Sequence, residues 1–235
     1  ATENPTRGTQ PLHPCQHTPL SYYISMKIAV YGIEELGQAL GFRFAENGHT
    51  VTFSDDDTDS AAFESFMEKA TCFGAISAPL PQAATDCQYF VITTSFFKAL
   101  KSASRFPDFG PRILIDCTGP LNTPSGAELP PPDSTLQLRK AVRGGRFVKA
   151  FNSVGAPVLS DSAYPGNLRP LMLLCGEDET ALEKVSILCD DLGFQPAVAG
   201  DLDLAPQLDA MARLWASLAR QEKWGPGFTW AGLNR

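Results

Sequence analysis

The chain alternates short apolar runs with segments of helical periodicity, and this alternation restricts its fold more than any other feature. The apolar runs lie at 27–31, 50–53, 89–94, 112–116, 145–151 and 170–175. Apolar residues recur at helical spacing over 35–46, 59–70 and 178–192. Short runs that are apolar throughout are typical of strands buried on both faces of a parallel sheet. The sequence therefore predicts an α/β fold with a doubly wound, mainly parallel sheet.

The two ends of the chain differ from this central pattern. The first 25 residues contain prolines that interrupt regular structure, namely Pro5, Pro11, Pro14 and Pro19. Near the other end, an apolar stripe at helical spacing from Leu204 to Leu218 predicts a small helical extension, which serves either as core or as an oligomer surface. We therefore expect a Pro-rich arm over 1–25 and one domain with C-terminal helices over 26–235.

The arm carries three potential metal ligands at alternate positions, His13, Cys15 and His17. They are weak grounds for a metal site, because a fourth ligand would have to come from another part of the chain. No metal is predicted. We expect the arm instead to lie against the body of the protein or against a protein partner.

Composition argues against several classes of function. The 19 basic and 26 acidic residues give a net charge of −7, and a nucleic-acid partner would require clustered Lys and Arg. No apolar run is long enough to cross a bilayer, so no membrane span is expected. The first 25 residues lack the apolar centre of a signal peptide. The 6 cysteines form no Cys-x-x-Cys pair, and we expect a protein of the reducing cytoplasm.

The turn after the first apolar run contains part of a phosphate-binding motif. Dinucleotide folds place G-x-G-x-x-G between the first strand and the first helix, and Gly32 and Gly37 supply the outer glycines. The middle position is Glu34, whose carboxylate would lie close to the pyrophosphate. A like-charge pair at about 4 Å costs roughly 4 kcal/mol at an effective dielectric near 20. Either Gly32, Ile33, Glu34 and Leu36 still contact a cofactor, or the turn now only packs.

The end of the second apolar run is the next candidate. An acidic residue about 20 positions beyond the first glycine hydrogen-bonds the ribose of NAD and repels the 2′-phosphate of NADP. Asp55 stands at that position, directly after Ser54. The alternative is a solvated acidic turn, because Asp56, Asp57 and Asp59 follow closely.

The third candidate segment follows the run at 89–94. In open α/β sheets, ligands bind beyond the carboxyl ends of the strands. Thr94, Ser95 and Phe96 lie at such an end, where two hydroxyls and a ring could line a nicotinamide pocket. Thr94 or Ser95 also suits the N-cap of the next helix, and both roles are compatible.

The second half of the chain contains several motifs in a fixed order. The most specific is F-V-K-A-F-N-S-V over 147–154. The others are L-I-D-C-T-G-P-L over 114–121, G-E-D over 176–178 with L-G-F over 192–194, M-A-R-L-W over 211–215 and G-P-G-F over 225–228. Together they resemble the coenzyme F420-dependent NADP oxidoreductase family, from Met26 to about Leu233. The resemblance implies a Rossmann-type dinucleotide fold.

This resemblance also implies an activity, namely hydride transfer between a nicotinamide cofactor and a flavin or F420-type deazaflavin. Direct transfer between stacked rings needs no acid–base residue, so no catalytic residue is assigned. By the resemblance, Asn152 and Ser153 lie near the second cofactor or substrate. The late helices of the family also support dimer contacts, which implies a homodimer.

Two departures from the family leave the function open. The family usually has Ser-Arg after the second strand to bind the 2′-phosphate of NADP, but here Asp55 follows Ser54. Together with Glu34, this change favours NAD over NADP, or no dinucleotide at all. The chain is then either an NAD(P)-dependent oxidoreductase or an inactive descendant that acts as a structural or interaction subunit of a larger assembly.

Overall fold

The computed structural model describes residues 25–233, and these residues form a sheet of 8 strands with helices on both faces. The strands are β1 (Lys27–Tyr31), β2 (Thr50–Ser54), β3 (Ile76–Ser77), β4 (Tyr89–Ile92), β5 (Ile113–Asp116), β6 (Arg146–Lys149), β7 (Leu171–Gly176) and β8 (Gln195–Gly200). Their order in the sheet is β3-β2-β1-β4-β5-β6-β7-β8. Only the β6–β7 pair of this sheet is antiparallel. The predicted doubly wound, mainly parallel α/β fold is confirmed.

The helices are α1 (Glu35–Glu46), α2 (Ala61–Ala70), α3 (Leu80–Asp86), α4 (Phe96–Ser102), α5 (Ser134–Ala141), α6 (Ala156–Ser160), α7 (Glu179–Asp191) and α8 (Ala205–Ala219). Capping fixes two of the starts, because Ser60 accepts a hydrogen bond from the N–H of Phe63 and Asp178 accepts one from Ala181. The helix α8 is the predicted C-terminal extension.

The order of the strands reverses between β1 and β4, which creates a crevice at their carboxyl ends. Tyr31 pairs with Ser54 of β2 on one side and with Ile92 of β4 on the other, so the three strands end at the same level. In open α/β sheets this reversal is where ligands bind. The loops after β1, β2 and β4 therefore meet at one place.

Two apolar cores cover the two faces of the sheet. Aromatic rings fill both: Phe53 and Phe66 make an edge-to-face contact in one core, and Phe90 and Phe106 make another in the second. The helix α8 belongs to both cores. Its Leu208 packs in one and its Trp215 packs in the other, so α8 crosses the carboxyl edge of the sheet.

The region 1–24, including His13, Cys15 and His17, lies outside the described residues. Within 25–233, no group of three or more His, Cys, Asp or Glu side chains is arranged to hold a metal ion. In the same region, no helix combines the length and the apolar character that crossing a bilayer requires.

Candidate functional site

The turn after β1 has the tight geometry that its two glycines allow. Gly32 has φ +114°, and its N–H donates to the carbonyl of Ser54 at 3.0 Å. The hydroxyl of Thr93 donates to the carbonyl oxygens of Tyr31 and Gly32, at 3.0 and 3.1 Å. A side chain on Gly37 would overlap the carbonyl oxygen of Gly32. Both glycines are therefore needed to bring α1 close to β1.

The side chain of Glu34 turns back over this loop. Its Oε2 lies 2.8 Å from the position that a Cβ on Gly32 would occupy. Its Oε1 accepts a hydrogen bond from the Thr94 hydroxyl at 3.3 Å and lies 3.4 Å from Nζ of Lys98. Although Glu34 is the N-cap residue of α1, its side chain makes no capping hydrogen bond.

Lys98 joins the two residues that depart from the family pattern. Its Nζ lies 2.7 Å from Oδ1 of Asp55 as well as 3.4 Å from Glu34. Burial of the ammonium group opposes its charge, but the contacts with Asp55 and Glu34 outweigh burial and raise the pKa of Lys98 above its usual value. One cation thus bridges two carboxylates, and the trio keeps a net charge of about −1. Sequence reasoning missed Lys98, because it belongs to no motif.

The turn after β2 is anchored to the opposite wall of the crevice. Oδ1 of Asp56 accepts hydrogen bonds from the Tyr31 hydroxyl at 2.8 Å, from the Ser102 hydroxyl at 2.7 Å and from Arg105 Nη1 at 2.9 Å. Burial raises the pKa of Tyr31, which keeps this phenol protonated as a donor. Asp56 therefore fixes the turn that carries Asp55.

The start of α1 offers unused hydrogen-bond donors. The N–H groups of Glu35, Leu36 and Gly37 have no acceptor among residues 25–233. Leu36 and Gly37 are buried residues, whereas Glu35 is exposed. Unpaired N–H groups at the start of a helix attract anions, because they add to the positive end of the helix dipole.

A cleft of about 350 Å³ begins beside the same turn. Its apolar walls come from the start of α1, the loops after β5 and β6, and α8, namely Leu36, Leu121, Gly155, Ala156, Pro157, Trp215, Ala216, Ala219 and Pro226. Two charged residues, Glu35 and Arg220, also line it. The Trp215 ring packs so closely on Gly155 that any side chain there would overlap it. The cleft is large enough for a small, mainly apolar ligand.

The three predicted residues after β4 separate into different environments. Thr94 is buried beside the crevice and contacts Glu34. Ser95 is the N-cap residue of α4, but its side chain makes no capping hydrogen bond. The ring of Phe96 is buried in the core, whereas Phe97 is exposed. The structure therefore brings Thr94 to the site and directs the Phe96 ring away from it.

The two residues assigned to the substrate by resemblance are buried beneath the surface. The amide of Asn152 donates to Oδ1 of Asp209 at 2.8 Å, and the Ser153 hydroxyl lies 3.9 Å from the sulfur of Met172. Oδ1 of Asn152 has no hydrogen-bond partner among the described residues. These contacts place both side chains in the wall behind the loops rather than on its surface.

A buried lysine organises that wall. Nζ of Lys149 lies 3.3 Å from Oδ1 of Asp209 and 3.4 Å from Oδ2 of Asp116, and it donates to the carbonyl of Thr118 at 2.9 Å. Burial raises the pKa of Asp209, although the charge of Lys149 opposes that effect. A side chain on Gly119 would place its Cβ 2.8 Å from Oδ1 of Asp209. The network ties α8 to the ends of β5 and β6.

Comparison with known proteins supports the architecture. Searches with protein-family models and against curated protein sequences gave no match. Among solved structures, a protein named as a candidate F420-dependent NADP reductase from Arthrobacter sp. FB24 has a TM-score of 0.73 at 21% identity, over 89% of this chain and 100% of that one. A hypothetical protein from Sinorhizobium meliloti has a TM-score of 0.64 at 21% identity, over 89% and 96% of the two chains.

A more distant match is a reductive aminase from Aspergillus terreus, in complex with NADPH4, cyclohexanone and allyl amine. Its TM-score is 0.61 at 16% identity, over 83% of this chain but only 61% of its own. At these identities the similarity shows the fold. The Rossmann-type fold implied by the sequence resemblance is therefore confirmed.

Proposed function

We propose that this protein is an oxidoreductase that binds a nicotinamide dinucleotide in the crevice and a second, flat molecule in the adjoining cleft. The observation that carries this proposal is that the cleft begins at the residue next to the phosphate-loop turn. Leu36 belongs both to the phosphate-loop turn and to the wall of the cleft. A dinucleotide with its ribose at Asp55 and its pyrophosphate at the start of α1 would direct its nicotinamide toward the cleft.

The residues of the crevice fit a dinucleotide in part. The unpaired N–H groups at the start of α1 and the absence of a side chain on Gly32 favour a pyrophosphate. The Glu34 carboxylate opposes it in the conformation described above. When bound, the nicotinamide supplies or accepts a hydride, and a flavin or F420-type deazaflavin is the second cofactor suggested by the resemblance. The protein contributes position, with Trp215 and the apolar walls excluding water.

NAD is the favoured cofactor in this proposal. The Asp55 carboxylate suits the ribose hydroxyls of NAD, whereas the 2′-phosphate of NADP would bring further negative charge to a trio that is already negative. Ser54 offers no compensation, because its hydroxyl is buried and lies at the end of β2. NADP binding is therefore expected to be the weaker of the two.

A second candidate function is an inactive descendant that serves as a structural or interaction subunit in the cytoplasm. The observation that favours it is the bridge from Glu34 through Lys98 to Asp55, which spans the crevice. In this alternative, the arm over 1–25 would contact a protein partner or a second copy of the chain, and the exposed Trp224 would contribute to that surface.

Binding measurements on the purified full chain distinguish the two functions. NADH, NADPH, NAD⁺ and NADP⁺ are titrated by calorimetry and by tryptophan fluorescence, because Trp215 lines the cleft. We expect micromolar binding of NADH and weaker binding of NADPH, followed by loss of NADH absorbance when a flavin or F420 is added. Absence of any binding at millimolar cofactor would refute the oxidoreductase proposal.

A double variant tests the reason for such a failure. Glu34→Gly with Asp55→Arg removes one carboxylate and supplies the cation that the family uses for the 2′-phosphate. Gain of NADPH binding by this variant, with none by the natural chain, would support the inactive alternative. Glu34→Gly with Asp57→Arg is the matched control, because it adds the same charge to an exposed neighbour in the same turn.

A further inference from the structure

We infer that Lys98 is the residue that binds the dinucleotide pyrophosphate, and that it does so by exchanging its contact with Glu34 for a contact with phosphate. The inference rests on the proposed function. Lys98 lies on α4, outside the phosphate-loop motif. It is the cation whose amino group contacts both carboxylates of the crevice within the described residues.

The geometry places this cation where an exchange needs only small movements. Nζ of Lys98 lies 2.7 Å from Asp55 but 3.4 Å from Glu34, so the contact with Glu34 is the longer one. The Glu34 side chain is 52% exposed, and that of Lys98 is 30% exposed. The Glu34 side chain can therefore change rotamer without disturbing the core, since exposed side chains reorient on fast timescales.

Hydrogen bonds hold the backbone that carries Asp55 and Lys98 in place. Asp56 holds the turn after β2 through Tyr31, Ser102 and Arg105, and Ser102 and Arg105 lie on or just after the helix that carries Lys98. The turn and α4 are therefore one unit, and Lys98 keeps its place beside Asp55. The movable group is the Glu34 carboxylate, which can turn to solvent when an anion reaches the start of α1.

Charge gives the reason why Lys98 is required here. A glycine-rich phosphate loop brings no charge of its own, but this loop carries a carboxylate over Gly32. In the free protein, Lys98 compensates that carboxylate. With a pyrophosphate present, the same ammonium group faces a doubly charged partner, and charge-assisted hydrogen bonds to phosphate are among the stronger polar contacts in proteins. Asp55 then remains available to the ribose.

A double-mutant cycle with NADH as the probe tests the inference. Dissociation constants are measured by calorimetry for the natural chain, Lys98→Met, Glu34→Gln and the Lys98→Met/Glu34→Gln pair. We expect Glu34→Gln to bind NADH more tightly and Lys98→Met to bind it about tenfold more weakly or worse. In the Glu34→Gln background, Lys98→Met should still weaken binding about tenfold, because the contact with phosphate is lost.

The other outcomes separate the inference from the proposed function. If the double variant binds NADH as tightly as Glu34→Gln does, Lys98 serves only to compensate Glu34, and the inference is overturned while the oxidoreductase proposal stands. If the folded natural chain binds no dinucleotide, the proposed function and the inference both fail. Lys98→Arg should stay within a few-fold of the natural chain. Lys101→Met, an exposed lysine on the same helix, is the control and should bind normally.

Discussion

Lys149 and Asp209 form a buried ion pair that joins the end of β6 to α8, with 3.3 Å between Nζ and Oδ1. A second carboxylate, that of Asp116, lies 3.4 Å from the same Nζ. Burial alone would lower the pKa of Lys149, but the two carboxylates raise it, so the ammonium stays charged. The cation is thus the common partner of two acids that have little access to water.

Removal of this cation should be costly. Lys149→Met leaves two carboxylates together in the core, and breaking a buried ion pair typically lowers the free energy of unfolding by about 3–5 kcal/mol. Urea denaturation measures the change. Lys140→Met, at an exposed position on α5, should change stability by no more than about 0.5 kcal/mol. A loss at Lys149 no greater than that of the control would contradict the prediction.

A side chain at Gly119 should destabilise the folded protein. Its backbone has φ +156° and ψ −167°, a region open essentially to glycine, and a Cβ would press on Asp209. We expect Gly119→Ala to lower the free energy of unfolding by about 1–3 kcal/mol from backbone strain, with a further loss from the contact. Gly126→Ala is the matched control, since Gly126 has φ +79° and open space around it. Equal melting temperatures for the two variants would show that the contact with Asp209 costs nothing.

His49 should make stability depend on pH. Burial lowers the pKa of His49 below its ordinary 6.5, although Asp191 opposes that effect. The neutral ring is favoured in the folded state, where Nδ1 lies 3.4 Å from the Met26 nitrogen. The stabilisation that the neutral His49 ring gives to the folded state is therefore complete above about pH 6.5. It is lost as the pH falls toward the pKa of His49 in the folded protein.

Free energies of unfolding measured at two pH values test this prediction. Between about pH 7.5 and pH 5.5 the natural chain should lose more unfolding free energy than His49→Gln, which cannot titrate. The carboxylates titrate in both proteins and cancel in the comparison. Parallel losses in the two proteins would rule out His49 as the source.

The cysteines of the described region should differ sharply in reactivity. Cys72 is exposed, whereas burial raises the pKa of Cys87 to about 11 and that of Cys175 to about 12. Burial also raises the pKa of Cys117 and Cys189. The thiolate is the reactive form, so Ellman's reagent near pH 8 should react rapidly with Cys72 and slowly with the other four.

A variant background isolates that thiol. In Cys15→Ser, one fast equivalent is expected, and an added Cys72→Ser should remove it. Unfolding in urea should make the four buried thiols react rapidly as well. Fast reaction that persists after Cys72→Ser would mean that a buried thiol is accessible.

The apolar runs predicted most of the sheet, because strands that are buried on both faces consist almost entirely of apolar residues. They did not predict that β7 runs antiparallel to β6, since strand direction depends on the connection and not on the side chains. The glycines predicted the turn at Gly32, because the backbone conformation of this turn and the close approach of α1 leave no room for side chains. Lys98 was not found, because its two partners lie far away in sequence and meet it only through the strand order.

The environment of Phe96 illustrates a second limit. Phe96 and Phe97 are adjacent and chemically identical, yet one is in the core and the other is exposed. Which of them faces inward depends on the rotational phase of α4, and that phase is set by packing over the whole helix. The roles of Asn152 and Ser153 toward a second cofactor remain predictions.

The position of α8 across the edge of the sheet relates the stability of the fold to the way in which ligands enter the cleft. Leu208 and Trp215 pack in different cores, so local opening of this helix would expose apolar surface on both faces of the sheet at once. The slowest amide hydrogens of α8 should therefore exchange only through an opening whose free energy is close to that of global unfolding. The wall that α8 gives to the cleft is then among the most persistent parts of the molecule, and ligands must enter a preformed space rather than one opened by this helix.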